Sequence, residues 1–235
     1  MKMKNKKAEQ IASKKKRKED QRRAKRRNAP NLDREEPTKP EKPTILIVCE
    51  GKNTEPSYFR QFRLTTATIK TEGDGYNTIS LVNKAIKLAS KEKYEQVWCV
   101  FDKDDFRDID FNKAILKAEA YNFGVAYSNQ AFEYWIILHF EDHQGGGMLR
   151  GDYHKKINHQ LKEFKLEYKG KSSKKITKEI FDILEGVDSK TGKIRRELAI
   201  ERAKRNYDMF DHLNCAKEES STTVFKLVEE IQKYV

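Results

Sequence analysis

Four short apolar runs separated by helical patterns are the feature that most constrains the fold of this chain. The runs are "TILIVC" (44–49), "TTATIKT" (65–71), "QVWCVFD" (96–102) and "FGVAYSN" (123–129). The first is rich in β-branched residues, which is typical of a strand buried on both faces of a parallel sheet. Alternation of strands and helices predicts βαβ units with right-handed crossovers. We therefore expect an α/β core over residues 44–130, with a parallel sheet of about four strands and helices on both faces.

The second half of the chain shows mainly helical patterns. Examples are "FEYWIILHF" (132–140) and the apolar residues of "VFKLVEEI" (224–231), which recur at helical spacing. We expect residues 131–235 to form a helical region that packs on the core. Within the core, a helix is predicted to begin near Glu55 with Pro56 in its first position, where proline is favoured.

The positive charge of the chain is concentrated in its first 43 residues. This segment has 17 Lys and Arg against 7 Asp and Glu, whereas the remaining residues have 32 against 30. It also holds four of the five prolines and few apolar residues, so its composition cannot offset the entropy of ordering. We expect a disordered or fraying helical basic arm and a proline-rich linker. Such an arm either attracts nucleic acid or acidic protein by counterion release, or only increases solubility.

Cysteine usage and hydropathy indicate a cytoplasmic protein. The three cysteines show no metal-ligand spacing, and two of them, Cys49 and Cys99, lie inside apolar runs. They are typical of small core residues in a reducing compartment. No apolar run approaches the length of a membrane span.

Acidic residues follow two of the apolar runs. Glu50 ends the first run, Asp102 ends the third, and Asp104 and Asp105 come directly after it. In an open parallel sheet, ligands bind at the carboxyl ends of the strands. Clustered carboxylates cannot all stay ionised without a cation, and Mg²⁺ (or Mn²⁺) is the expected one because it takes hard oxygen ligands.

This pattern predicts phosphodiester chemistry. Asp102 and Asp104 point to the same side of an extended segment and are predicted to share the metal, with Asp105 as a further ligand. Glu50 is predicted to be another ligand or the general acid or base. In the alternative interpretation, the "DKDD" acids form a solvated loop and Glu50 caps the helix that follows it.

Three further residues are candidates for the site. Lys52 and Lys103 are possible contacts of a substrate phosphate, although an extended segment would turn Lys103 toward solvent. Glu133 begins an apolar helix and would reach the site if the fourth strand neighbours the third. An exposed acid favoured by the helix dipole is the alternative for Glu133.

Four blocks of sequence resemble a known family. A glutamate-glycine after the first strand and a D-x-D after a later one are similar to the Toprim domain of topoisomerases, primases and related nucleases. The blocks "ILIVCEGKNTEPSYFRQF" (45–62), "VFDKDDF" (100–106), "SNQAFEYWIILHFE" (128–141) and "STTVFKLVEEI" (221–231) resemble the RloB-like, or AbiLii-type, family. One departure is "NQAFE", where the family usually has a proline before "FE".

The resemblance implies a Toprim-like, metal-dependent nuclease of abortive-infection defence against phage, often encoded beside an ATP-binding-cassette-like ATPase that acts as sensor. By the family motif, Glu50 is the Toprim glutamate, and Asp102 and Asp104 are the D-x-D pair. Related effectors cut RNA, including transfer RNA, which favours RNA over DNA as substrate. The second hypothesis is a non-catalytic subunit that binds nucleic acid or docks a partner. A third, weaker one is a receiver-like phosphoacceptor domain. An oligomer is compatible with each hypothesis.

Overall fold

The computed structural model describes the backbone of residues 2–27, 42–73, 77–144 and 146–235. The chain divides into two compact units, with the boundary between residues 41 and 42. In the first unit, Lys2–Arg27 forms the 26-residue helix α1, and the side chains described in it, 11–24, are all exposed. This is the helical form of the predicted basic arm. The predicted proline-rich linker lies mostly in residues 28–41, outside the described residues.

The second unit contains the strands and helices that were expected to alternate over residues 44–129, followed by further helices and one short strand. In chain order they are β1 (Thr44–Cys49), α2 (Thr54–Phe59), β2 (Thr68–Gly73), α3 (Thr78–Ala89), β3 (Gln96–Asp102), α4 (Asp108–Ala120), β4 (Gly124–Asn129), α5 (Glu133–Leu138), α6 (Arg150–Leu161), α7 (Lys178–Leu184), α8 (Arg195–Tyr207), β5 (Ser221–Thr222) and α9 (Val224–Gln232). Single 3₁₀ turns lie at Lys162–Phe164 and Cys215–Lys217.

One five-stranded sheet runs through this unit in the order β2-β1-β3-β4-β5. Strands β1 to β4 are parallel, with Cys49 opposite Val100 and Asp102 opposite Ser128. The α/β class and the parallel core are therefore confirmed. Because β1 and β3 are central neighbours, the acids that follow them emerge at the same edge of the sheet.

The expectation of about four strands, followed by a mainly helical region, leaves out one short strand. Ser221 and Thr222 form β5, which pairs antiparallel with the end of β4. The Ser128 and Thr222 hydroxyls lie 2.9 Å apart, and the Thr223 amide donates to the Tyr127 carbonyl. A two-residue polar strand has no alternation to detect, so local sequence patterns do not predict it.

Two element boundaries also differ from the prediction. The second strand covers 68–73 rather than 65–71, because the amides of Thr65 and Thr66 donate to the carbonyl of Tyr234 instead of pairing with β1. Helix α2 begins at Thr54, so Pro56 is its third residue. Proline is still tolerated there, since amides of the first helical turn have no partner within the helix.

Hydrophobic clusters cover the two faces of the sheet. Ile45 and Ile47 of β1 contribute to the cluster that holds Trp135 of α5 and the apolar side of α9. Leu46 and Val48 point to the other face, into the cluster of α3 and α4. The alternation along β1 thus divides helices between both faces, and the helices after residue 131 share a core with the sheet.

Candidate active site

A cavity of about 310 Å³ lies at the carboxyl ends of β1 and β3. Five carboxylates and two lysines face it. The lining residues are Glu50, Gly51, Lys52, Asn53, Thr54, Glu55, Asp102, Asp104, Phe132, Glu133 and Lys174. The sheet therefore brings Glu50, Asp102 and Asp104 together from positions about fifty residues apart.

The ladder between β1 and β3 continues into the site. The Glu50 amide donates to the Val100 carbonyl at 2.9 Å, and the Glu50 side chain accepts from the Asp102 amide through Oε2 at 3.1 Å. Asn53, the residue that precedes α2, makes no side-chain cap there. The Glu50 side chain thus contacts the end of β3.

The segment after β3 turns instead of staying extended. Asp104 has a φ of 38°, in the left-handed region that aspartate tolerates better than most residues. The amides of Lys103 and Asp104 donate to the carbonyls of Ser128 and Gln130, which holds the turn against the end of β4. Asp102 and Asp104 face the cavity through this turn and not through the predicted extended geometry.

The structure places two predicted site residues elsewhere. Lys103 was expected to face solvent or a phosphate, but it is buried, and its Nζ lies 2.5 Å from the Phe106 carbonyl and 3.2 Å from Asp108 Oδ1. The turn at Asp104 directs it away from the cavity. Asp105 is exposed and does not line the cavity either.

Asp102 is buried close to several other acidic side chains. It is 7% exposed, and its Oδ1 has no hydrogen-bond partner among the described residues. Burial is the largest cause that raises the pKa of the Asp102 carboxyl well above its ordinary value, and the charges of Glu55, Glu133, Asp104 and Glu50 raise it further. A buried acid near like charges has the kind of perturbed pKa that is common in cation-binding and proton-transferring groups.

Two more buried acids complete the cavity wall. Glu55 is 4% exposed and accepts from the Gly51 amide at 3.1 Å. Glu133 is 3% exposed; Tyr168 donates its hydroxyl proton to Glu133 Oε1 at 2.9 Å, and His154 Nε2 lies 3.5 Å from the same oxygen. The condition set for Glu133, that β4 neighbours β3, is met, so Glu133 faces the cavity and is not an exposed acid.

A comparison with models of protein families shows which family the chain belongs to. The model of the RloB-like protein family matches residues 45–231. The chain belongs to the RloB-like family. Comparison with curated proteins and with solved structures returned no match to this RloB-like chain.

The family match covers the cavity and leaves out the basic arm. Every cavity residue of this RloB-like protein, from Glu50 to Lys174, falls inside 45–231.

Across the described residues, no helix of the RloB-like chain is long and apolar enough to span a bilayer.

The donor chemistry of the cavity fits a hard divalent cation. Carboxylate oxygens are the ligands that Mg²⁺ takes, and Asp102 Oδ1 is a buried oxygen without a partner in the described part of the chain. Within that same part, no three His, Cys, Asp or Glu side chains are already grouped closely enough to hold an ion.

Sequence reasoning missed four residues of the site. In the sequence, Glu55 has the pattern of an ordinary acid in the first turn of α2, and Lys174 belongs to a polar loop. Tyr168 and His154 follow Glu133 in the chain by 35 and 21 residues, with no shared motif. Only the tertiary structure brings the first two side chains to the cavity and the last two to Glu133, so no local signal could have identified them.

Proposed function

We propose that this RloB-like protein is a Toprim-type, metal-dependent nuclease that hydrolyses phosphodiester bonds, with RNA, including transfer RNA, favoured over DNA. It would act in the cytoplasm as a toxic effector of AbiLii-type defence against phage, under the control of an ATP-binding-cassette-like ATPase. The observation that carries the proposal is the convergence of five carboxylates on one cavity at the carboxyl edge of a parallel sheet. Ligand chemistry concentrates at this edge in α/β folds.

Named residues take distinct roles in this proposal. Asp102 and Asp104, with Glu50, would hold Mg²⁺ or Mn²⁺, which when bound supplies a Lewis acid for phosphate oxygens. Glu50 would also accept or donate the proton of the attacking water or leaving oxygen. Glu133 would support the same carboxylate cluster from the β4 side. We assign no metal role to Asp105 and no phosphate role to Lys103, because neither side chain faces the cavity.

The lysines of the cavity balance part of its negative charge. Lys52 and Lys174 both line it, Lys52 from the loop after β1 and Lys174 from the loop before α7. In the proposed function they bind phosphate oxygens of the substrate and offset the repulsion between the substrate and the acids. This is the arrangement expected where an acidic site must admit an anionic polymer.

Matched acid-to-amide substitutions test the proposal. Purified protein would be incubated with labelled RNA and DNA, with Mg²⁺, Mn²⁺ or EDTA, and with and without the ATPase partner. Wild type should cleave with metal and not with EDTA, and Glu50→Gln and Asp102→Asn should lower the rate by about 10²–10⁴-fold, the usual contribution of general acid–base groups. Asp105→Asn is the matched control, because Asp105 is exposed and outside the cavity, and it should cleave like wild type.

Cleavage by Glu50→Gln and Asp102→Asn at the wild-type rate would refute the assignment of the site. Equal cleavage in EDTA would refute the metal requirement. Loss of activity in Asp105→Asn as well would show that the effect is not specific to the cavity.

A non-catalytic binding subunit is the second candidate. It is favoured by the absence, in the described residues, of any ready group of three metal-ligating side chains, and by the 14 Lys and Arg of α1. It predicts that deletion of residues 1–43 abolishes nucleic-acid binding in a filter-binding assay while Asp102→Asn leaves it unchanged. Metal-dependent cleavage that requires Asp102 would exclude it.

A further inference from the structure

A second, larger depression lies beside the carboxylate cavity. It has a volume of about 730 Å³ and is bounded by α6 and by the loop that follows the Lys162–Phe164 turn. We call it the lysine groove. Its lining residues are Gly151, His154, Lys155, Asn158, Glu167, Tyr168, Lys169, Gly170, Lys171 and Ser172.

The lysine groove is positively charged. Lys155, Lys169 and Lys171 line it against a single acid, Glu167. Lys155 is paired with Asp152 at 3.1 Å. Lys169 and Lys171 are exposed, and neither is in an ion pair with a described residue. Two unneutralised ammonium groups on one wall indicate a polyanionic ligand, since lysine binds phosphate as a point charge.

One short loop connects the groove with the candidate active site. Tyr168 lines the groove, and its hydroxyl donates to Glu133 of the cavity. Six residues later in the same loop, Lys174 lines the cavity itself, and its amide donates to the Lys169 carbonyl at 3.1 Å. The loop from Tyr168 to Lys174 therefore contributes side chains to both the groove and the cavity, and Tyr168 of the groove contacts an acid of the cavity.

The loop is held at both ends, so its lysines are presented in a defined place. Asn158 of α6 both donates to the Tyr168 carbonyl at 3.0 Å and accepts from the Tyr168 amide at 2.7 Å. At the other end, the Ile176 amide donates to the Ser57 hydroxyl at 2.7 Å. A Cβ at Gly170 would come within 2.4 Å of the His154 ring, so glycine allows the loop to lie directly on α6.

We propose that the lysine groove binds the phosphate backbone of a nucleic-acid strand and guides it to the carboxylate cavity. This proposal rests on the proposed nuclease function and adds to it the surface that positions the substrate. Lys169 and Lys171 contact phosphates next to the scissile one, while Lys174 and Lys52 contact phosphate oxygens in the cavity. Because these contacts are to phosphates, the groove contributes affinity without base specificity.

Lysine footprinting tests the placement. The full-length Asp102→Asn variant would be acetylated with and without a 20-nucleotide single-stranded RNA, and the reactivity of each lysine would be read by mass spectrometry. Lys169 and Lys171 should be protected by the RNA. Lys91 and Lys93, two exposed lysines in the loop before the amino end of β3, at the opposite edge of the sheet, should stay reactive. A local readout of this kind is not obscured by RNA that binds to the basic helix α1.

A salt titration supplies the second readout, with matched pairs of substitutions. In single-stranded RNA binding, Lys169→Gln with Lys171→Gln should weaken affinity and make the slope of log K against log salt shallower by about 1.4, since each phosphate contact contributes about 0.7. Lys91→Gln with Lys93→Gln removes the same charge from a similar surface and should leave the slope unchanged.

The outcomes separate the groove from the nuclease. Equal reactivity of Lys169 and Lys171 with and without RNA, equal slopes for the two double variants, or no saturable RNA binding would overturn the groove proposal. If wild type cleaves RNA through Asp102 but the footprint is absent, only the groove proposal fails. If the footprint is present and no cleavage occurs under any condition, the proposed function fails and the groove remains a nucleic-acid site.

Discussion

Tyr168→Phe is the sharpest test of how the fold supports the acidic cavity. Tyr168 is 1% exposed, and its hydroxyl donates to Glu133 Oε1 at 2.9 Å. Because that proton is used, the Thr54 hydroxyl, 3.2 Å away, donates to the Tyr168 oxygen. Burial, followed by the charge of Glu133, raises the pKa of Tyr168 well above its ordinary value, so the hydroxyl stays a neutral donor.

The size of the effect follows from the burial of the acceptor. The substitution keeps the ring and removes one hydrogen bond to a buried carboxylate, and bonds to charged groups contribute about 1.5–3 kcal/mol. For a protein of this size, each kcal/mol corresponds to about 2–4 °C in Tm, so we expect Tm to fall by about 3–12 °C. Glu133 would also lose the donor that orients it toward the cavity.

Thermal unfolding followed by circular dichroism measures the change, with urea unfolding as a second determination. The matched control is Tyr121→Phe, because Tyr121 is 51% exposed at the end of α4 and its hydroxyl can bond to water. The control should stay within about 0.5 kcal/mol of wild type. A Tyr168→Phe variant as stable as Tyr121→Phe would refute the view that this hydroxyl holds a buried charge.

Two further substitutions test the electrostatics and the packing of the site. Asp102→Asn, measured by thermal unfolding in EDTA, should be more stable than wild type at pH 8, and the difference should shrink toward pH 4. The pKa of Asp102 is raised in the folded protein, so the folded wild type is most stable when this acid is protonated. It loses stability as the pH rises above the ordinary range of aspartate. A difference that does not change with pH would contradict this cause. Gly73→Ala should destabilise the protein by about 1–3 kcal/mol in urea unfolding, because the new Cβ would lie 2.3 Å from the Gly51 carbonyl oxygen and 2.6 Å from Pro56 Cγ. Gly151→Ala is its control, since outside its chain neighbours and its own helix backbone no atom lies within 4 Å of that Cβ, and an equal loss in both variants would rule out the clash.

The total charge of the chain and the local placement of its charges point to different parts of the molecule. The high net charge of the chain points to nucleic acid, but most of it belongs to a segment that the family match does not include. The unit that contains the cavity is nearly neutral overall, and two of its exposed lysines, Lys169 and Lys171, lie together in one groove beside the acids. Local placement of charge, and not its total, therefore carries the functional inference.

The sequence by itself determined the central strands and the acids at their ends. The bounds of β1 and β3 were predicted to the residue, since strands buried on both faces of a parallel sheet appear as uninterrupted apolar runs. Once those runs are parallel neighbours, Glu50, Asp102 and Asp104 must emerge at one edge. A short-range pattern thus sufficed for the half of the site that lies directly on the sheet.

Tertiary structure alone decided the other half. Tyr168 reaches Glu133 and Thr54 across 35 and 114 residues, and β5 joins the sheet through two polar residues near the end of the chain. A left-handed residue at Asp104, rather than strand periodicity, sets where the second acid points and buries Lys103. The contacts of Tyr168 and of β5 depend on which surfaces pack together over long separations in the sequence. The spacing of residues along the chain carries no information about that packing.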